Sequence, residues 1–103
     1  MKAVMLMQQL PLMKQMQINV RLYSKENLNY FQTNDIQLDF EYYLKGVVPA
    51  EIGNAHIEAC KAQAVAARTF ALCKSSKSGQ ITDMPSVDQC FRVGRISSSY
   101  ANA

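Results

Sequence analysis

The chain has no tryptophan, one histidine, three prolines and four glycines in its 103 residues. Its cysteines, Cys60, Cys73 and Cys90, form no Cys-x-x-Cys pair, and His56 stands outside any ligand spacing. The tightly paired N/S ligands of a structural zinc site are therefore missing. Cys60 and Cys73 fall on one predicted helix, where thirteen residues span roughly 20 Å, too far for a disulfide. The three thiols are expected as buried, space-filling groups. No stretch approaches the ~20 apolar residues of a membrane-crossing helix. Dense Lys/Arg clustering is also absent: the net charge is only +3, and residues 52–103 supply the excess, with six basic and three acidic side chains. That balance lacks the footprint of a nucleic-acid binder, so no nucleic-acid partner is expected.

What is present suits one small domain. The start, MKAVMLMQQLPLMKQ, is Met-rich. Its apolar run is broken by Gln8 and Gln9, and no small-x-small cleavage site follows, so residues 1–15 are expected as a poorly ordered leader with no convincing signal peptide. From Met16 the pattern alternates: Met16, Ile18, Val20 and Leu22 against Gln17, Asn19, Arg21 and Tyr23, a half-buried strand. Ser24–Asn27 is turn-prone, Leu28–Gln32 resumes an extended pattern, and Thr33–Asp35 turns again before Ile36–Leu38. This predicts a small antiparallel sheet of three strands, which needs a partner to pack against.

Two helices supply it. Asp39 is a good N-cap, and Phe40, Tyr43, Leu44, Val47 and Val48 make one apolar stripe. Pro49 lacks the N–H that continues the ladder, so this helix should end near Val48, with residues 49–54 as a connection. The second helix is expected over residues 55–74. Its seam of Ile57, Cys60, Ala64, Ala67 and Ala71 is small enough for close approach of another backbone, and Ser75–Gly79 should end it. The rest reads as a loop-rich tail. The fold class is α+β: a small antiparallel sheet, then two packed helices and that tail. Val65, Phe70 and Leu72 point away from the seam and also need cover. Self-association through helix 55–74, or marginal stability of the chain alone, is the consequence expected.

Two blocks resemble the SpoIID family, that is, stage II sporulation protein D and related amidase-enhancer domains. They are Tyr43-Leu44-Lys45-Gly46-Val47-Val48-Pro49-Ala50-Glu51 and Lys61-Ala62-Gln63-Ala64-Val65-Ala66-Ala67-Arg68-Thr69-Phe70-Ala71-Leu72. Downstream, Thr82-Asp83 and Asp88-Gln89-Cys90-Phe91 look like the family's weaker Asp…Gln-x-Tyr segment, with Phe91 at the aromatic place. The likeness runs from residue 18 to about 100 and is expected to cover the front part of the family domain (residues 16–103 here). It implies a lytic transglycosylase acting on peptidoglycan glycan strands, outside the cytoplasm at the cell wall or membrane. A non-catalytic module that binds glycan and enhances a partner amidase is the alternative. By resemblance Glu51, in the Val-Pro-Ala-Glu motif, is the catalytic acid. Some members hold a metal with Cys and His in the loop before the Gln-x-Tyr segment. Loop 82–88 has neither, so neither metal nor cofactor is expected.

The chemistry suits a lone carboxyl. Glycoside hydrolysis uses two carboxylates. A lytic transglycosylase needs one, which protonates the leaving oxygen and then accepts the proton of the sugar's own 6-hydroxyl as that attacks C1. Such an acid must start protonated, and apolar neighbours such as Val47, Val48, Pro49, Ala50 and Ile52 are expected to desolvate it. Without the resemblance, a solvated or capping glutamate is the ordinary reading. Lys61, Gln63, Arg68 and Gln89 are candidate sugar-binding residues. Arg68 equally suits a structural ion pair with Glu51, Asp39 or Glu58, and Gln63 a plain helix surface. Tyr42, Tyr43 and Phe70 are expected to pack rather than stack on sugar, and His56 to face solvent. Ser97–Ser99 has no base partner.

Overall fold

The structure, a computed structural model, describes residues 16–102, so the expected leader 1–15 lies outside the described residues. Its first strand, β1 (Gln17–Arg21), buries Ile18 and Val20 and exposes Gln17 and Asn19, as the alternation requires. Leu22 continues the buried row, whereas Met16 is exposed. After β1 comes a correction. Lys25–Phe31 is a helix, α1, and not an extended segment. Leu28 and Phe31, three residues apart, turn towards the core on one side of it, and Gln32 closes it in the left-handed region at φ 59. The helix is fixed by tertiary contact: Asn27, on its inner side, is fully buried and hydrogen-bonded to distant segments.

β2 (Asp35–Asp39) pairs antiparallel with β1, Ile18 opposite Leu38 and Val20 opposite Ile36. The third strand is the short β3 (Ile81–Thr82), which runs parallel to β1 with Val20 beside Ile81. The sheet order is β2-β1-β3, so the α+β class holds while the sheet is mixed rather than antiparallel. A parallel neighbour requires a long crossover, and the two main helices provide it.

The first of these, α2 (Phe40–Glu51), begins where β2 ends. Asp39 is the last strand residue and also the cap, accepting from Tyr42 N–H at 3.1 Å. The stripe Phe40, Tyr43, Leu44, Val47 and Val48 is buried throughout. The expected stop at Val48 does not occur: Pro49, Ala50 and Glu51 belong to the last turn. Proline costs one ladder bond, and near a helix end little else is lost. The carbonyls of Val48 and Pro49 still accept from Ile52 and Gly53 N–H, at 3.0 Å each. Gly53 takes φ +59, which lets the chain leave the helix.

The second, α3, spans Ile57–Ser78 and is longer than the expected 55–74. The serines that looked like a terminator are absorbed, because Ser76 and Ser78 hydroxyls bond carbonyls of their own helix, those of Cys73 and Lys74. Of the expected seam, Cys60, Ala67 and Ala71 are buried, Ala64 is partly covered and Ile57 is exposed. Cys60 is the only fully buried thiol; Cys90 is partly covered and Cys73 exposed, against the expectation of three buried thiols. The tail folds into two 3-10 turns, Val93–Arg95 and Ser99–Asn102, both packed on α2.

One buried and one part-buried polar cluster hold this tail. Asp83 accepts from Tyr23 N–H, Ser24 N–H and Asn27 Nδ2, while Asn27 also donates to Phe91 O and accepts from Val93 N–H. Asn27 and Asp83 are fully buried and multiply satisfied, as such groups must be. Nearby, Asp88 accepts from Thr82 N–H at 2.7 Å and faces Lys74 Nζ at 3.1 Å. Burial pushes its carboxyl up, but the Thr82 hydrogen bonds and the Lys74 ammonium outweigh that and hold it below the usual carboxylate range.

Two outcomes follow from this packing. A Cβ on Gly46 would overlap Phe91 Cε1 and lie 3.3 Å from Arg92 O. Gly46→Ala should therefore cost about 1–3 kcal/mol in urea unfolding, and Phe91→Leu in the same chain should recover part of the loss; additive effects would contradict direct contact. Because the folded Asp88 is the stronger acid, the unfolded chain binds more protons at low pH. The contribution is full above about pH 4, the ordinary Asp range, and is lost as pH falls through the folded value. Melting measured against pH should fall less steeply below that point in Asp88→Asn than in the wild type.

Candidate functional site

Residues 89–92 run along α2 in the opposite direction and build the surroundings of Glu51. At one end the Cys90 N–H donates to Glu51 Oε1. At the other the Arg92 N–H donates to Gly46 O at 3.1 Å. Between them the Phe91 ring lies on Gly46 and stacks on Tyr43, centroids 5.3 Å apart. Gln89 is buried and donates to Tyr43 Oη at 3.0 Å and to Ala67 O at 3.2 Å, so it ties α2 to α3. Tyr43 and Gln89 are thus interior groups. Burial pushes the Tyr43 phenol far above its ordinary value, against the opposing Gln89 hydrogen bond.

Glu51 itself is exposed. The sequence leads one to expect an apolar enclosure, yet Val47 packs into the core, Val48 is buried beneath the groove and Pro49 is buried in the last turn. The carboxyl at the helix end stays exposed and is held by a backbone N–H instead. Beside it, burial pushes the Cys90 thiol up, Arg92 opposes this and Glu51 adds to it. Cys90 is accordingly kept as a thiol, a weak nucleophile. The loop after Glu51 is anchored in turn: Tyr100 Oη donates to Asn54 Oδ1, and His56 caps α3 by accepting from Glu58 N–H at 3.1 Å.

The other candidates divide between two places. Lys61, Val65 and Arg68 line a groove of about 330 Å³ between α2 and α3, with Glu41 and Lys45 opposite, a floor of Leu44, Val48 and Ala64, and Ala101 and Asn102 from the tail. Arg68 is ion-paired there, with Nη2 at 2.8 and 2.9 Å from the two Glu41 oxygens. Its partner is Glu41, not Glu51, Asp39 or Glu58, and Glu58 instead meets Lys61 at 3.6 Å. Both pairs are more than a third exposed, so each adds little stability. Gln63 is partly covered on α3 and lies outside the groove lining. Glu51 does not line the groove either, but Glu41, Leu44, Val48 and Glu51 follow one another at helical spacings of three and four, so the groove's α2 wall leads to it.

Sequence reading missed Lys45, Glu41 and the 89–92 clasp. The signal available was Gly46, a poor helix former inside an apolar stripe, which marks close approach of another segment. Among the described residues no three His, Cys, Asp or Glu side chains gather as a metal would require, and loop 82–88 offers neither Cys nor His, so the residues present do not fit the metal some members hold. No described helix is long and apolar enough to cross a membrane.

No curated protein and no solved structure matches the chain. The family model described as SpoIID, stage II sporulation protein, matches residues 29–101. That span contains α2, Glu51, all of the groove lining but Asn102, and the 89–92 clasp, and with it the chain belongs to the SpoIID family, whose description points to a sporulation-related function.

Proposed function

We propose that the chain is a peptidoglycan lytic transglycosylase domain with Glu51 as its single catalytic acid, working outside the cytoplasm on glycan strands. The observation that carries this reading is the placing of one carboxyl at the end of a groove wall, held by the Cys90 N–H at a helix terminus. A protonated Glu51 gives its proton to the glycosidic oxygen as the C1–O bond breaks. The carboxylate left behind takes the proton of the muramoyl 6-hydroxyl while that oxygen bonds to C1, and the leaving strand keeps the first proton. The product is a 1,6-anhydromuramoyl end, with no water consumed. Lys45 and Lys61 line the approach to this end, and Arg68, already held by Glu41, fixes the groove's shape. Because Glu51 is exposed in the free chain, the bound glycan must itself exclude water from the carboxyl.

That same exposure favours a second reading, a module that binds glycan without cutting it and enhances a partner amidase. One experiment separates the two. Wild-type chain incubated with glycan stripped of stem peptides should release anhydromuramoyl ends. Glu51→Gln should lose that release by at least about 100-fold, in the range of a lost general acid. Its melting temperature should hardly move, since the amide oxygen can still accept from Cys90 N–H. Cleavage retained by Glu51→Gln contradicts the assignment. Glycan co-sedimentation without cleavage by wild type supports the binding module instead.

A further inference from the structure

The side of α3 turned away from the core is uncharged for three turns. Ala62, Val65, Ala66, Thr69, Phe70 and Cys73 follow one another at spacings of three and four, and all are exposed, Val65 at 61 % and Phe70 at 40 %. Between Lys61 and Lys74 the only charged side chain is Arg68, which turns into the groove to meet Glu41. The one hydroxyl on this face is also withdrawn: Thr69 Oγ1 donates to Val65 O at 3.0 Å. A face with large apolar side chains and no free polar group is an unpartnered packing surface. It is a different face from the seam of Cys60, Ala67 and Ala71, which the chain's own core covers, and it borders the α2–α3 groove along Val65, which lines both.

We propose that this face binds a second copy of the chain, α3 packing antiparallel on α3 about a two-fold axis. The charges at its ends choose the occupant and the direction. In an antiparallel pair centred between Ala67 and Arg68, Ala62 meets the partner's Cys73, Val65 meets the partner's Phe70 and Ala66 meets the partner's Thr69. The same register sets Glu58, exposed and only loosely paired with Lys61 of its own helix at 3.6 Å, against the partner's Lys77 at each end, so both ends of the seam are charge-complementary. A parallel pair would place Glu58 on Glu58 and Lys77 on Lys77. Each small residue thus faces a small one and each bulky residue a bulky one, as a self-complementary two-fold contact requires.

Sedimentation of the full chain over a concentration series should show a monomer–dimer equilibrium, weakened at least tenfold by Val65→Lys and by Thr69→Lys. Both positions are exposed, so the melting of dilute monomer serves as the folding control. Register is read by cross-linking with copper-phenanthroline and air. Ala62→Cys should give a covalent dimer through the introduced thiol and Cys73, and adding Cys73→Ser should abolish it, because like positions lie eleven residues apart, roughly 16 Å. A monomer at every concentration, a dimer indifferent to both lysine variants, or a Cys73–Cys73 link in wild type would each overturn the proposal.

Discussion

The contact between Phe91 and Gly46 is the constraint on which the rest of the molecule depends. It lets residues 89–92 lie against the backbone of α2, where any larger side chain at position 46 would hold them off. Once they lie there, Gln89 reaches Tyr43 and the α3 carbonyl of Ala67, and the Phe91 carbonyl and Val93 N–H reach Asn27. A single close approach therefore links α1, α2 and α3. In a chain of this size, with a core of modest extent, such shared contacts replace the redundancy a larger interior would give.

The functional geometry inherits the same constraint. Glu51 has no second carboxyl to work with, so its position must be supplied by backbone, and the Cys90 N–H supplies it from one end of the clasp. The Lys45–Lys61 groove and the Arg68–Glu41 pair depend on how α2 and α3 lie together, which Gln89 fixes from below. Residues that look like sugar ligands in sequence thus separate by role: Gln89 braces the interior, while Lys61 and Arg68 remain on the surface.

Periodic features were readable from sequence and non-local ones were not. The alternation of Ile18, Val20 and Leu22, the Asp39 cap and the stripe from Phe40 to Val48 each follow from local spacing, and each is found as expected. Helix α1 was not readable, because its inward Asn27 is polar and is stabilised only by Asp83, Phe91 and Val93, all more than fifty positions away. The mixed sheet failed for a similar reason: β3 is two residues long, too short for any period. Pro49 and the serines 75–78 misled in the other direction, since terminator residues at a helix end can be accommodated by neighbouring carbonyl partners. The Glu51 motif was visible in sequence, but its setting was not, because burial of Val47 and Val48 says which side of the helix is covered and nothing about the end.

The clasp can be observed directly through the Cys90 amide, whose hydrogen bond to Glu51 joins the structural constraint to the candidate site. Native-state hydrogen exchange followed by NMR should show this amide protected, with the protection lost and the amide proton shift moved in Glu51→Ala. An amide that exchanges like an open loop, with a shift indifferent to Glu51, would contradict the account.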